Sequence, residues 1–566
     1  MIRPFSFAIA TVLFVSCVAD GPQSQDSKAG EYTLPLIETT DIHGHILSTD
    51  NNGTVHYGMA YIANKVKDVR GRGESYRKDR LLLLDGGDLY QGASVSNLLS
   101  GEPVFMCLDK MDYDAVALGN HEFDWGIENT VDADATVPDY VWEGKKCDNQ
   151  VPVLCANLYQ DDKRVTRTRD YVIVEKTAVN TKGETIPVKI GVVGFAVNYG
   201  SSIITTQFAG KGYSIKADYT IANNIAAELE SSGACDATVL LAHGAADEVA
   251  AALGRSTVID LVLGGHSHRT MSGKTEWGLH YLQGGRYCEH YASADLKFYL
   301  DDNDRISFGG IKNMSIKEVS SSDLDDDILA VSDYALQATA AQQNEVIGHI
   351  NANATTYYLN GSGTRASVMG NWMCDILRRV GEADVSFVNA GGIRTSFPLN
   401  GQATREITVA DVYEMFPFSN TTYVYRITYA DLLKLFEYSM TSGGEALFSR
   451  MTGIDCYYTQ TVYDTYSTYA VHSLRKDGTV IYQNKKWTDD WASRTLILAV
   501  SEYLAITERT DYYTGIPNPL IEWNGTDRLL SNHLVDNVSA VNVLRAESAA
   551  SGGLLSIDTE PHFILN

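Results

Sequence analysis

The chain of 566 residues is poor in positive charge: 45 lysines and arginines stand against 71 aspartates and glutamates, a formal charge of -26. A field of that sign repels phosphate backbones and anionic headgroups, which excludes nucleic-acid wrapping and electrostatic binding to membrane surfaces. Any phosphorylated ligand needs a local cationic site, made of metal ions or a few arginines. Cysteine is scarce too. Apart from Cys17 there are Cys107, Cys147, Cys155, Cys235, Cys288, Cys374 and Cys456, an odd number without zinc-ribbon spacing, so they define no disulfide framework. Cys147 and Cys155 are close enough in sequence to pair across a loop; buried free thiols are the competing reading.

Apolar runs long enough to cross a bilayer are also lacking. The opening, "MIRPFSFAIATVLFVSCVAD", has one Arg, an apolar stretch to about Val15, then small residues and Cys17, the pattern of a secretory signal. "FVSC" is similar to a bacterial lipobox, although Phe14 replaces the usual aliphatic residue, so lipidation of Cys17 and simple cleavage both stand open. Either places the protein outside the cytoplasm: periplasmic, secreted or lipid-anchored to the envelope. Residues 20–30 read as a tether, and the ending "PHFILN" lacks the hydrophobic tail of a GPI signal. There is no internal repeat.

The length predicts two or more domains. From residue 31 to about 315, near-continuous apolar runs recur: "YTLPLIETT", "LLLLDGGD", "AVALGNH", "VPVLCANL", "IGVVGFA", "ATVLLAHG" and "IDLVLGGHSH". Such runs predict strands buried on both faces. Amphipathic segments lie between them, among them "GMAYIANKVKDVR", with Met59, Ile62, Val66 and Val69 on one helical face, and "IANNIAAELESS". Alternating strands and helices predict a layered α/β domain. "LHYLQGG" and "YASADLKFYLDD" alternate as strands at a sheet edge would. The Ser- and Asp-rich stretch 317–327 leads into a helical pattern and marks a domain boundary. Beyond it the mixture repeats: a helix "SVMGNWMCDILRRVG", a strand "DVSFVNAGGIR", Thr408 capping "VADVYEMF", and a strand–helix pair "TTYVYRITYADLLKLFEYSM". A second α/β domain follows, with a Tyr- and Thr-rich segment at 455–513 of β-propensity.

Metal-binding residue types recur where apolar strands stop: Asp41 and His43, Asp88, Asn120 and His121, His243, His266 and His268. In open α/β sheets the carboxyl ends of strands face the ligand crevice, so these side chains can converge. Carboxylates, imidazoles and an amide, without thiolates, suit catalytic zinc, manganese, iron or cobalt. The number of candidates is enough for two ions sharing a bridging carboxylate, an arrangement that clamps both oxygens of an in-line displacement at phosphorus. Glycines beside the ligands, such as Gly86 and Gly119, permit close backbone approach. A lone Asp-x-His or Gly-His is mostly surface or satisfied core; five such elements in order, each after a buried-type strand, are not explained as loops.

In sum "TDIHGH", "DGGDLYQG", "GNHEFDWG", "LAHG" and "GGHSH" resemble, in order, five blocks of the 5′-nucleotidase family of calcineurin-like metallophosphoesterases. The resemblance implies a four-layer α/β sandwich, two mixed sheets flanked by helices, over 31–316, after a signal and tether at 1–30. A linker helix at 317–345 and a C-terminal α/β substrate-binding domain at 346–566 would follow. It implies that Asp41, His43 and His268 hold one divalent ion, zinc or manganese, and that Asn120, His243 and His266 hold the other, with Asp88 bridging. His121 would stabilise the phosphoryl oxygens and assist the leaving group, oriented by Asp124, and the nucleophile would be water activated by the metals. Glu122 receives no role, and Phe123 reads as packing.

The resemblance continues in residues 350–440, where "TRASVMGNWMCD" carries Arg365 and "FVNAGGIR" carries Asn389 and Arg394; the two arginines are the local cations that the acidic chain requires. Phe418 in "DVYEMFPFSN" and Tyr503 in "LAVSEYLAI" match the two rings that sandwich a nucleobase; Phe416 and Tyr413 read as core. The family's Gly-Gly-Asp-Gly turn, which meets the ribose, is absent, and Asp511 is the only nearby substitute. The implied activity is release of phosphate from nucleoside monophosphates. Alternatives are a 2′,3′-cyclic-nucleotide phosphodiesterase/3′-nucleotidase, a nucleotide-sugar hydrolase, and a surface nucleotide-binding protein without catalysis. The implied partner is a nucleotide or related phosphate ester, with no nucleic-acid polymer and no membrane contact except an anchor at Cys17.

Overall fold

The apolar runs are strands in the computed structural model, which describes residues 29–49, 54–197, 208, 211–357, 359, 366–417, 420–439, 447–451, 454–462, 467–506, 518–524 and 526–566. The signal stretch with Cys17 lies outside the described residues, as do Arg365, Phe418 and Asp511. Among the described residues no helix is long and apolar enough to cross a membrane.

Twelve strands join in the first half: β1 (Gly30–Thr39), β2 (Leu82–Asp85), β3 (Ala115–Ala117), β4 (Val153–Leu154), β5 (Tyr171–Val179), β6 (Thr185–Ala196), β7 (Ala237–His243), β8 (Leu261–Leu263), β9 (Thr270–Lys274), β10 (His280–Gly284), β11 (His290–Leu300) and β12 (Ile306–Glu318). They form two limbs. One has the order β12-β11-β1-β2-β3-β4, the other β5-β6-β7-β8-β10-β9, and a single residue pair, Thr33 with Val179, joins them. Each limb is mixed: β1 to β4 run parallel, as do β6, β7, β8 and β10, while β5, β9, β11 and β12 are antiparallel to their neighbours.

Side-chain period converts the limbs into layers. Tyr32, Leu34 and Leu36 of β1 share a core with Val239 and Leu241 of β7, so the limbs pack face to face. Ile37 and Leu83 point the other way, into a core with α1 (Gly58–Arg70) and α2 (Glu102–Lys110). Leu240 and Ala242 likewise face α3 (Thr220–Ser231) and α4 (Ala246–Leu253). The result is helix, sheet, sheet, helix, the four-layer sandwich that the resemblance implies. Burial on both faces explains the unbroken apolar runs: all seven residues of β7 are buried.

Two expectations change. Val69 is 39% exposed rather than part of the apolar stripe of α1, because the last turn points Arg70 inward, where its guanidinium donates to the carbonyl of Met111 at 2.8 Å. The strands β10 and β11 are interior, flanked by β8 and β9 and by β1 and β12. Their alternation reports faces of unequal cover, not an unpaired edge.

The helix after 317–325, α5 (Asp326–Gln343), buries Ile328, Val331 and Ala335 in the same core as α1 and α2, and Asp325 caps its N-terminus. In the second half, Val385–Asn389 lies between Leu447–Met451 and Thr495–Ser501 in a five-stranded sheet. The Tyr- and Thr-rich segment supplies Ile454–Val462, Ser467–Lys476 and Thr479–Gln483 to a second sheet, packed on the first around Phe387, Tyr425, Tyr458 and Phe563. Thr408 caps Val409–Met415 as expected, in a reciprocal box with Asp411.

Leu241 is fully buried between the limbs. Leu241→Ala is expected to destabilise the metal-free protein by about 2–5 kcal/mol, read as the shift of its urea unfolding midpoint.

Candidate metal centre

The parallel strands end at one edge. Asp41 and His43 follow β1, Asp88 follows β2, Asn120 and His121 follow β3, His243 closes β7, and His266 and His268 follow β8. The fold brings them together in two groups, Asp41–His43–His268 and Asp88–His243–His266, each with its candidate ligand atoms within 4.8 Å of one another. Asp88 faces both. Its Oδ2 lies 3.2 Å from Nε2 of His243 and 3.6 Å from Nε2 of His43. Asn120 Oδ1 is 3.0 Å from His243 Nε2 and 2.8 Å from His266 Nδ1, and His268 Nε2 is 3.1 Å from His43 Nε2.

The donor chemistry fits divalent cations. Nδ1 of His43 lies 2.8 Å from the Gln91 carbonyl, and Nδ1 of His243 lies 2.8 Å from the Gly86 carbonyl. A carbonyl only accepts, so both protons sit on Nδ1 and the neutral rings turn Nε2 lone pairs toward oxygen acceptors. Lone pairs opposed at these distances require positive charge among them. A proton answers that need in the metal-free protein: burial works against a charged His243, but Asp88 outweighs it and raises the imidazole to about 10. Burial raises Asp41 to about 7, and depresses His266 and His268 to about 3.

Five of the six residues of the two groups are in the left-handed region, with φ of 51° at Asp41, 46° at His43, 58° at Asp88, 65° at His266 and 58° at His268. Each such non-glycine residue costs about 1–2 kcal/mol. Loop-to-loop hydrogen bonds hold them there: Asp41 N–H donates to the Gly87 carbonyl at 2.9 Å, His43 N–H to that of Asp88 at 2.9 Å, and His266 N–H to Asp41 Oδ1 at 2.9 Å. The loops touch so closely that a Cβ on Gly119 would lie 2.2 Å from Asp88 Oδ1.

His121 Nδ1 is 2.7 Å from Asp124 Oδ2, and its ring stands edge-on to that of His43, with centroids 5.1 Å apart. Burial opposes its charge, but Asp124 and Asp88 raise it to about 9. Asn389 ends its strand nearly buried. Arg394 lines a cleft of about 810 Å³ together with His43, His45, Gln91 and Tyr287. Burial is the main cause of the depression of His266 and His268, and the charge of Arg394 adds to it. Tyr503 is half-buried in the short helix Glu502–Ile506 and packs on the apolar core of the second half. Pro417, which precedes Phe418, has its carbonyl bonded by the side-chain amides of Gln91 and Asn97. Phe416 and Tyr413 belong to the core, as expected.

Two residues escaped the sequence reading. Asp85, the first carboxylate of "DGGD", accepts from Thr39 Oγ1 at 2.5 Å and from Gly87 N–H at 2.8 Å, bracing the turn to Asp88. Tyr287 packs on His43, His45 and His268, with centroids 5.7, 4.2 and 5.5 Å away, from a left-handed backbone at φ 56°. "DGGD" at least displayed the first; nothing in "GGRYCEH" signals the second.

Residues 346–486 match the family model described as 5′-nucleotidase, C-terminal domain. The chain is 26% identical over 470 residues to a 5′-nucleotidase of Diplobatis ommata, covering 75% of this chain and 74% of that protein. It is 24% identical over 464 residues to a 5′-nucleotidase of Vibrio cholerae, covering 75% and 77%. A 5′-nucleotidase precursor from Thermus thermophilus superposes with a TM-score of 0.66 at 19% identity over 94% of this chain and 99% of that one. The sulfate thiohydrolase SoxB of the same organism superposes with a TM-score of 0.60 at 16% identity over 94% and 96%, so the fold alone leaves the reaction open.

In the metal-free protein, His121 is expected to titrate near 9, and Asp124→Asn to bring it down toward an ordinary imidazole value, followed by NMR of the ring nitrogens. The sign is that of a raised base. The pair's contribution to stability is complete below the unfolded-state value of about 6.5 and is lost as pH rises through about 9.

Proposed function

We propose that this chain, a member of the 5′-nucleotidase family, is a metal-dependent phosphohydrolase that acts outside the cytoplasm and releases phosphate from a nucleoside monophosphate. The observation that carries this reading is the single carboxylate of Asp88 facing both ligand groups, with the His121–Asp124 pair at its side. Asp41, His43 and His268 would hold one divalent ion, zinc or manganese; Asn120, His243 and His266 would hold the other; and Asp88 would touch both. Bound there, two such ions supply Lewis-acid stabilisation of phosphoryl oxygens and a nucleophilic water at neutral pH.

The chain's own residues do the rest. Asp124 takes the Nδ1 proton of His121 in a hydrogen bond, which leaves the Nε2 proton for an oxygen of the phosphoryl group or of the departing alcohol. The guanidinium of Arg394 suits a terminal phosphate, and together with His121 it offsets the repulsion of an acidic chain. Arg365, Asn389, Phe418 and Tyr503 would hold the nucleoside. In this reading residues 31–316 carry the chemistry, 317–345 link, and 346–566 bind the substrate. The apolar stretch before Cys17 supports export, with the lipid anchor as one form of it.

The cleft continues past His45 to Arg405. That room favours a second reading, in which the phosphate carries another substituent, as in cyclic nucleotides or nucleotide sugars. Purified enzyme with added manganese is expected to hydrolyse AMP faster than 3′-AMP, cyclic 2′,3′-AMP or UDP-glucose. A faster rate on any of the other three would move the assignment to that substrate, and binding of AMP without turnover would make the protein a nucleotide-capture protein. Asp88→Ala is expected to reduce turnover to background; an unchanged rate would refute the shared-carboxylate site.

A further inference from the structure

Glu122 follows His121 and has no part in the scheme above, yet its carboxylate accepts three main-chain hydrogen bonds. Its Oε2 takes the N–H of Gly119 at 2.6 Å and that of Asp88 at 3.1 Å; its Oε1 takes the N–H of Leu89 at 2.8 Å. In return, Asp88 Oδ1 accepts the N–H of His121 at 2.9 Å. The loop after β2 and the loop after β3 are thus stitched in both directions, each by a carboxylate of one and main-chain donors of the other.

Asp88 sits at φ 58°, beyond the end of β2, where neither ladder hydrogen bonds nor its own sterics fix the backbone. The donors supplied to Glu122 by Asp88 and Leu89 are the groups that such a turn leaves orphaned. Glu122 is itself 1% exposed, and both of its carboxylate oxygens are occupied by main-chain donors. Its own carbonyl accepts Thr130 Oγ1 at 2.5 Å, which anchors it from behind. A Cβ on Gly119 would lie 2.6 Å from Glu122 Oε2, so the contact also requires glycine at that position.

We propose that Glu122 is a positioning residue that sets the distance between the bridging carboxylate of Asp88 and the Asn120–His121 segment, and so determines whether two ions share one site. The inference rests on the two-ion reading above. Outer hydrogen-bond partners of ligands typically carry about a 10–100-fold effect on metal affinity.

The test is titration of the metal-free full chain with manganese alone, followed by calorimetry and electron paramagnetic resonance, on wild type, Glu122→Gln and Glu122→Asp. Gln keeps the shape but turns an amide N–H₂ toward an N–H donor; Asp keeps the charge but shortens the reach. Wild type is expected to bind two ions with a spin-coupled spectrum. The variants, folded by circular dichroism, are expected to bind about 10–100-fold more weakly, with the spectrum of isolated ions. A lower melting temperature with wild-type affinity and coupling would reduce Glu122 to a structural role and overturn the proposal. If Glu122→Gln does not fold, wild-type affinity and coupling in Glu122→Asp would overturn it equally. Failure of wild type to bind a coupled pair would instead sink the two-ion reading itself.

Discussion

Acceptor atoms crowd around Asp88 with too few protons among them. Asp41, Asp85, Asp88 and Glu122 are all buried at the ends of three neighbouring strands, and the carboxylate of Glu38 is fully buried nearby. An unpaired buried ion costs several kcal/mol even after relaxation, so such a cluster must recruit positive charge. In the metal-free chain the recruits are protons: His121 and His243 are raised, and burial lifts Asp85 and Glu38 well above the carboxylate range. Divalent ions satisfy the same demand with more charge and without occupying the Nε2 lone pairs by protons. Metal binding and the stability of this edge would then be one equilibrium, since the candidate ligands would have to lose protons as ions entered.

The constraint reaches the architecture. Each ligand group draws on both limbs of the sandwich: Asp41 and His43 come from the end of β1 and His268 from beyond β8, while Asp88 and Asn120 meet His243 and His266 across the same divide. The limbs share a single residue pair in their ladders, so their spacing at this edge is set by the packing of Leu36 and Leu84 against Leu241 and Leu263. A cavity in that core would alter the separation of the ligands. Ions held between the limbs would in turn tie together sheets that hydrogen bonds scarcely connect.

Much of this was legible in the sequence because strand burial and strand-end chemistry are both local patterns. Runs such as "ATVLLAH" announce a strand covered on both faces, and the residue that ends the run is the one that faces the crevice. What escaped was set by tertiary contact. Val69 continued the apolar stripe of α1, but Arg70 found carbonyl acceptors inside and took the buried place. Asp85 braces its own turn through the N–H of Gly87, and Glu122 reaches back 34 and 33 residues to the N–H groups of Asp88 and Leu89; no periodicity corresponds to carboxylate-to-backbone bonds of this kind. Tyr287 is a bulky residue in a left-handed turn, a conformation that sequence alone disfavours and that the Asp41 carbonyl enforces by accepting its N–H at 2.9 Å. The proposed substrate side was harder to read because Arg394 lies beyond its strand, and a lone Arg after "GGI" carries no direction of its own.

The strain and the charge belong to one design. Left-handed turns occur at Asp41, His43, Asp88, His266 and His268, and side chains from the loops after β1, β2 and β8 reach a common point. Relaxed turns would aim them outward, where water would hydrate each carboxylate and nothing would demand a cation. The backbone cost of about 1–2 kcal/mol per residue would thus keep the acceptors close together and in need of a cation. At His121 burial works against the charge, and the fields of Asp124 and Asp88 outweigh it. In a chain whose net charge is -26, an anionic ester would need divalent ions at this edge to offset its carboxylates, and Arg394 in the same cleft adds a further positive charge.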